Sequence, residues 1–173
     1  MNRLYFSLFF LIFFLVLSFK PVYADSSYVL PYPSFMPGNS LYKARLLLEY
    51  VQEFWYFGNL SQFEYVRKQS DKYLVEAKTL FEYKQYLLGV PALKKSDAYF
   101  IQEETHLMEA KKQAKDIKQK ELTRKLQAQK HTEVLLSLLP LVPKDFHWNP
   151  EKEESTYLAL HDEIKEAVKI RKL

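Results

Sequence analysis

Apolar residues along this chain fall into five blocks, and the period of each predicts a different element. Leu4 to Phe19 is a run of 16 residues interrupted only by Tyr5, Ser7 and Ser18, and it follows the short basic start Met1-Asn2-Arg3. As a helix it would be about 24 Å long, shorter than the roughly 30 Å hydrocarbon core of a bilayer and suited to the apolar region of a signal peptide. Val22-Tyr23-Ala24 then offers the small side chains that a signal peptidase accepts, which predicts cleavage between Ala24 and Asp25. An uncleaved segment would instead tether the domain to the membrane. Both readings place it outside the cytoplasm, secreted or extracytoplasmic, and both exclude residues 1–24 from the fold.

From residue 25 to 39 the pattern lapses. Pro31, Pro33, Pro37 and Gly38 rule out helix there and predict an extended linker or strap. Helical period begins at Ser40, where Leu41, Ala44, Leu48, Val51 and Trp55 share a face, with Leu47 and Phe54 beside them, until Gly58 supplies a stop. Ser61-Gln62-Phe63-Glu64 has the form of a capping box, with Leu60 and Tyr65 as its hydrophobic staple. The helix it opens would bury Phe63, Val66, Tyr73, Leu74, Ala77, Leu80 and Phe81. It would turn Glu64, Lys68, Asp71, Lys72, Glu76 and Lys78 to water and end at Gly89 and Pro91.

Between Ala92 and Leu139 there is neither glycine nor proline, so one long helix from about Ser96, or two with a soft break, is expected. Its apolar face is thin. Ile101, Met108, Ala110, Ala114, Ile117, Leu122 and Leu126 are spread among eight basic and five acidic residues between Glu103 and Lys130, so much of this helix is expected to face water. Val134 to Leu139 then restores an apolar surface before Pro140 and Pro143. Asn149-Pro150, followed by Glu151, Glu153 and Glu154, reads as the start of a final helix with Tyr157, Leu160, Ile164 and Val168 as its buried stripe, Leu158 and Ala167 adjacent, and Lys169, Arg171 and Lys172 at its negative dipole end. The predicted fold is all-α, a small bundle of about four helices over residues 40–173. In it the first two helices pair as a hairpin, and the long third and C-terminal helices pack across them.

Composition narrows the chemistry. Three glycines among 173 residues cannot build a phosphate-cradling loop, and no G-x-G-x-x-G, Walker, G-x-S-x-G or H-E-x-x-H pattern occurs. With no cysteine, disulfides, thiolate metal sites and cysteine catalysis are excluded. The formal charge of +4 includes Arg3 and Lys20, which leaves +2 from Asp25 onward, too little to suggest nucleic acid as a partner.

Pro37-Gly38-Asn39-Ser40-Leu41-Tyr42-Lys43, the helix Glu64 to Leu80 and the segment Lys130 to Pro143 (KHTEVLLSLLPLVP) together resemble an uncharacterised bacterial family of exported helical domains. Its members run from a signal peptide through a PGxxLYxxK lead-in and an Ala/Glu-rich hairpin to a KHxEVLxxLxxxVP segment. This chain departs from the pattern at Tyr65, Val66 and Ser70. The resemblance implies a compartment and a helical fold, and no active site.

Three candidate surfaces remain. Glu103 and His106 have the i, i+3 spacing that puts two metal ligands on one face in ferritin-like bundles, but His131, His147 and His161 lack a Glu three residues earlier, so no second half-site completes it. The expectation is that Glu103 and His106 decorate a solvated face. Phe54-Trp55-Tyr56-Phe57 cannot all face one core; burial among neighbouring helices or the strap is the simpler outcome, and a carbohydrate-stacking or lipid-facing platform the functional one. The lysines from Lys111 to Lys130 would contact anionic envelope polymers or simply water. No catalytic, cofactor-binding or metal residues are assigned. The functional expectation is an exported, non-catalytic helical module that contacts a protein or envelope component, its membrane contact limited to the N-terminal segment if uncleaved. A ligand- or metal-binding bundle and an extracytoplasmic enzyme are the alternatives.

Overall fold

The computed structural model describes residues 28–152 and 154–173. The expected signal segment and the cleavage site at Ala24 and Asp25 lie outside the described residues. Five helices follow: α1 (Tyr42–Glu53), α2 (Asn59–Glu82), α3 (Tyr86–Lys112), α4 (Lys118–Leu138) and α5 (Leu160–Ile170). Two three-residue strands, β1 (Phe146–Trp148) and β2 (Thr156–Leu158), pair antiparallel ahead of α5, with His147 opposite Tyr157. The architecture is the expected all-α small bundle, and no described helix is long and apolar enough to cross a membrane.

The helix boundaries move for identifiable reasons. α2 starts at Asn59 behind Gly58, whose φ of 81° turns the chain into the helix. Ser61 is therefore already inside it and makes no capping bond. The predicted capping box does not form, and Glu64 instead binds Arg67 and Lys120. α2 ends at Glu82, seven residues before Gly89. Lys84 takes the left-handed conformation (φ 59°), Gln85 N–H donates to the Leu80 carbonyl and Lys84 N–H to that of Phe81. That Schellman closure on a lysine carries no glycine signal. Gly89 and Pro91 lie inside α3 near its start. A Cβ at Gly89 would come within 2.7 Å of Cε1 of the Phe81 ring, so this glycine serves close packing of α2 against α3. The same closure recurs at Ala114 (φ 56°), which breaks the glycine-free stretch into α3 and α4; the Asp116 carboxylate then accepts the Lys118 N–H.

The tight pair is consequently α2 with α3, rather than the first two helices, and α4 and α5 pack across it. Leu74, Ala77, Leu80, Phe81, Leu93, Leu135, Leu138, Leu160 and Ile164 form the main apolar cluster, with Leu30 and Met36 of the strap laid against its rim. A smaller cluster at the other end holds Phe63, Leu107, Ala110 and Ile117. Between the two clusters α2 carries Ser70 and Asp71, both buried. The predicted helix start at Asn149-Pro150 falls instead in the loop between β1 and β2. Tyr157 is exposed on β2, its hydroxyl on the Asp145 carboxylate, and the final helix buries only Leu160, Ile164 and Ala167.

Candidate functional site

α1 is amphipathic and docked in reverse. At 100° per residue, Tyr42, Arg45 and Glu49 occupy one side and Ala44, Leu47, Val51 and Phe54 the other. The polar side faces the protein. Arg45 Nη2 lies 2.6 Å from Glu76 Oε2, the Tyr42 hydroxyl donates to Glu76 Oε1 at 3.1 Å, and the Tyr73 hydroxyl to Glu49 Oε2 at 3.0 Å. Lys72 Nζ reaches Glu49 Oε1 at 2.5 Å, and the Tyr65 hydroxyl bonds the Glu49 carbonyl at 3.0 Å. Burial lowers the Lys72 ammonium pKa to about 8, against the opposing pull of Glu49, and the same burial raises the phenols of Tyr65 and Tyr73. Glu76 and Asp71 of α2, expected at the surface, are buried because α1 and the strap cover that side of the helix.

The apolar side of α1 faces outward. None of its residues is buried, and Leu47 is 65% exposed, Trp55 68% and Phe57 83%. The expected core face of Leu41, Leu48, Val51 and Trp55 is thus a surface. Of the aromatic quartet, Phe54, Trp55 and Phe57 are exposed, whereas Tyr56 turns in against Tyr65, their ring centroids 5.2 Å apart. Tyr50 stacks edge-on against Phe54 at 5.4 Å, which joins the helix face to the aromatic turn.

A cleft of about 710 Å³ lies where the strap crosses α1 and α2. Val29, Leu30 and Tyr32 line one wall, Arg45, Glu49 and Lys72 the other. Arg45, Glu49 and Lys72 are already engaged with one another or with Glu76; Asp71, also in the lining, is held by Gln127 and His131, and Lys68 lies over the Tyr56 ring.

The polar layer between the two apolar clusters is the most densely bonded region. Asp71 accepts from the Tyr28 hydroxyl at 2.6 Å, from Gln127 Nε2 at 2.8 Å and from His131 Nε2 at 2.8 Å. Arg171 Nε donates to His131 Nδ1 at 2.9 Å, which makes His131 a neutral ring with its proton on Nε2; Arg171 also reaches Asp97 at 2.5 Å and Ser96 Oγ at 2.9 Å. Burial drops the His131 pKa to about 4 and lowers that of Arg171, while burial raises that of Asp97. The carboxylate–imidazole pair has the outline of an acid–base site, yet both ring nitrogens are occupied and His131 is fully buried. A base needs a free lone pair and access to substrate, so here the histidine holds α4 against α2 and α5.

Glu103 sits in this layer, not on the solvated face expected for it. It is completely buried, its oxygens make no hydrogen bond of good geometry, and Arg124 Nε stands 3.6 Å away. Burial raises its pKa to about 8 despite the pull of Arg124 and Gln127, so it is protonated at neutral pH. His106 is half-buried, and burial lowers its pKa. Among the described residues no three His, Asp or Glu side chains converge as metal ligands. Of the lysines between Lys111 and Lys130, Lys112 pairs with Glu109, Lys120 with Glu64 and Lys130 with Glu133, while Lys115, Lys118 and Lys125 are exposed.

Sequence reasoning missed Asp71, Gln127, His131 and Arg171. One signal was available. Arg124, Gln127 and His131 fall at i, i+3 and i+7, in line with Leu135 and Leu138, so the polar residues continue the buried stripe of α4. No family model, curated protein or solved structure matches the chain.

Proposed function

We propose that this chain is an exported, non-catalytic helical module that works by contact, its outer α1 face and aromatic turn docking onto a protein or another component of the cell envelope. The observation that carries this reading is the inversion of α1. Arg45 and Glu49 are consumed in a buried seam with α2, and Leu47, Leu48, Val51 and Phe54 face out. An isolated globular domain gains by the opposite arrangement, and a contiguous apolar face beyond a few hundred Å² marks an interaction surface. The compartment rests on the apolar N-terminal run with Val22-Tyr23-Ala24 after it, and the lead-in and helices resembling those of exported bacterial domains agree with it.

A photo-crosslinking side chain placed at Leu47 or Trp55 in cells exporting the protein tests this. Discrete adducts from those sites, and none from Ile101, an exposed apolar residue elsewhere on α3, support a dedicated contact face; equal or absent labelling at all three contradicts it. The cleft beneath the strap gives the small-ligand alternative its best footing, through its volume and its apolar wall of Val29, Leu30 and Tyr32.

A further inference from the structure

We infer that the outer face of α1 docks against the same face of a second copy of this chain, in an antiparallel, two-fold arrangement. This rests on the reading of that face as a contact surface and names its partner.

The area of this face suits a dimer. A whole aromatic side chain covers 150–250 Å²; scaled by the observed exposures of Tyr50, Phe54, Trp55 and Phe57, with Leu41, Leu47, Leu48 and Val51 added, the face amounts to roughly 900 Å² of apolar surface. That exceeds the largest patch of a typical monomer, about 300–600 Å². It matches the roughly 800 Å² per partner of a standard stable interface.

The face is also self-complementary. Ala44, Leu47, Val51 and Phe54 are spaced 3, 4 and 3, the spacing of a helix–helix seam. The set is symmetric about residue 49. In an antiparallel pair with its two-fold axis there, Leu47 meets Val51 of the second copy, and the small Ala44 meets the large Phe54, so the seam fills without a gap at either end. The helix macrodipoles then run in opposite senses, which favours the pairing.

Its charges allow the same pairing. Arg45 and Glu49 are turned inward, and Glu53 lies at the rear edge of the helix by its position. Lys43 is the charged residue left on the outer arc, and the same symmetry brings it level with Trp55 of the second copy, whose ring face accepts a cation, and away from the other Lys43. A helix built to lie on anionic lipid carries a row of basic residues beside its apolar face, and this arc carries one. The apolar N-terminal run is removed where the predicted cleavage between Ala24 and Asp25 takes place.

The test uses the chain as it accumulates in an exporting host. Sedimentation equilibrium at micromolar concentrations is expected to show a dimer, and Leu47→Arg, on an exposed position, to shift it to monomer with an unchanged circular dichroism spectrum. Because the chain has no cysteine, a mixture of Leu47→Cys and Val51→Cys chains is expected to form an oxidised cross-linked dimer several-fold faster than either chain alone. A monomer at all concentrations together with no preference for the mixed pair overturns the proposal, as does binding of the monomer to phosphatidylglycerol vesicles through this face. Heterologous photo-adducts at Leu47 from a monomeric chain would overturn the dimer and keep the contact surface; loss of both would remove both.

Discussion

Replacing Glu103 by glutamine is expected to stabilise the protein, and by an amount that grows with pH. The carboxyl is fully buried in the polar layer, and burial raises its pKa from the ordinary 4.5 to about 8, with Arg124 and Gln127 only partly opposing. Between those values the folded chain holds a proton that the unfolded chain releases. The contribution is therefore intact below 4.5 and lost progressively as pH rises to about 8, at about 1.4 kcal/mol per pH unit. At pH 7 the accumulated loss is about 3 kcal/mol, and it approaches about 5 kcal/mol by pH 8, both as upper limits. Glutamine keeps the shape of the protonated acid and does not titrate. His131 works in the opposite sense. Burial lowers its pKa from 6.5 to about 4, so its contribution is intact above 6.5 and lost as pH falls toward 4. The two slopes cancel between 4.5 and 6.5, and the Glu103 slope stands alone from 6.5 to 8. Urea unfolding followed by circular dichroism at pH 5, 6, 7 and 8 should show the Glu103→Gln variant gaining on the native chain at each step. A gap independent of pH, or a variant less stable at pH 8, would mean that the fold does not hold Glu103 protonated.

Two further substitutions probe the packing. Gly89→Ala places a methyl 2.7 Å from the Phe81 ring and is expected to cost about 1–3 kcal/mol in thermal or urea unfolding, with Phe81→Leu on the same chain restoring part of it. Arg171→Met leaves the half-buried Asp97 without its cation and Nδ1 of the buried His131 without its donor, at an expected cost of about 3 kcal/mol, whereas Lys172→Met next to it, at an exposed position, should change unfolding by less than about 0.5 kcal/mol.

Periodicity located the apolar part of the buried faces of α2 and α5, where apolar residues recur at helical spacing; Phe63, Leu74, Ala77, Leu80, Phe81 and Ile164 are buried as expected. It failed where polar residues are inside. Asp71 and Glu76 read as solvent-facing on α2, but the strap and α1 bring Tyr28, Tyr42 and Arg45 onto them, and no local pattern encodes a partner 30 or more residues away. The thin apolar face of the long helical stretch had the same origin: Glu103, Gln127 and His131 fill positions that an apolar stripe would occupy. Helix ends were misplaced where Lys84 and Ala114 adopt left-handed backbone normally reserved for glycine. On α1 the periodicity was read correctly and its direction was not. The spacing of apolar residues tells which side of a helix is apolar, and the charges that choose which side docks lie on α2.

The inverted docking of α1 can be tested directly by thiol reactivity in this cysteine-free chain. With a single cysteine at Leu47 in dilute purified protein, maleimide labelling should proceed at the rate of a free thiol, while a cysteine at Val75, buried on α2, labels orders of magnitude more slowly. Protection of the Leu47 position in the dilute monomer to the level of Val75 would mean that the apolar face packs inward and that α1 is not docked by its charged side.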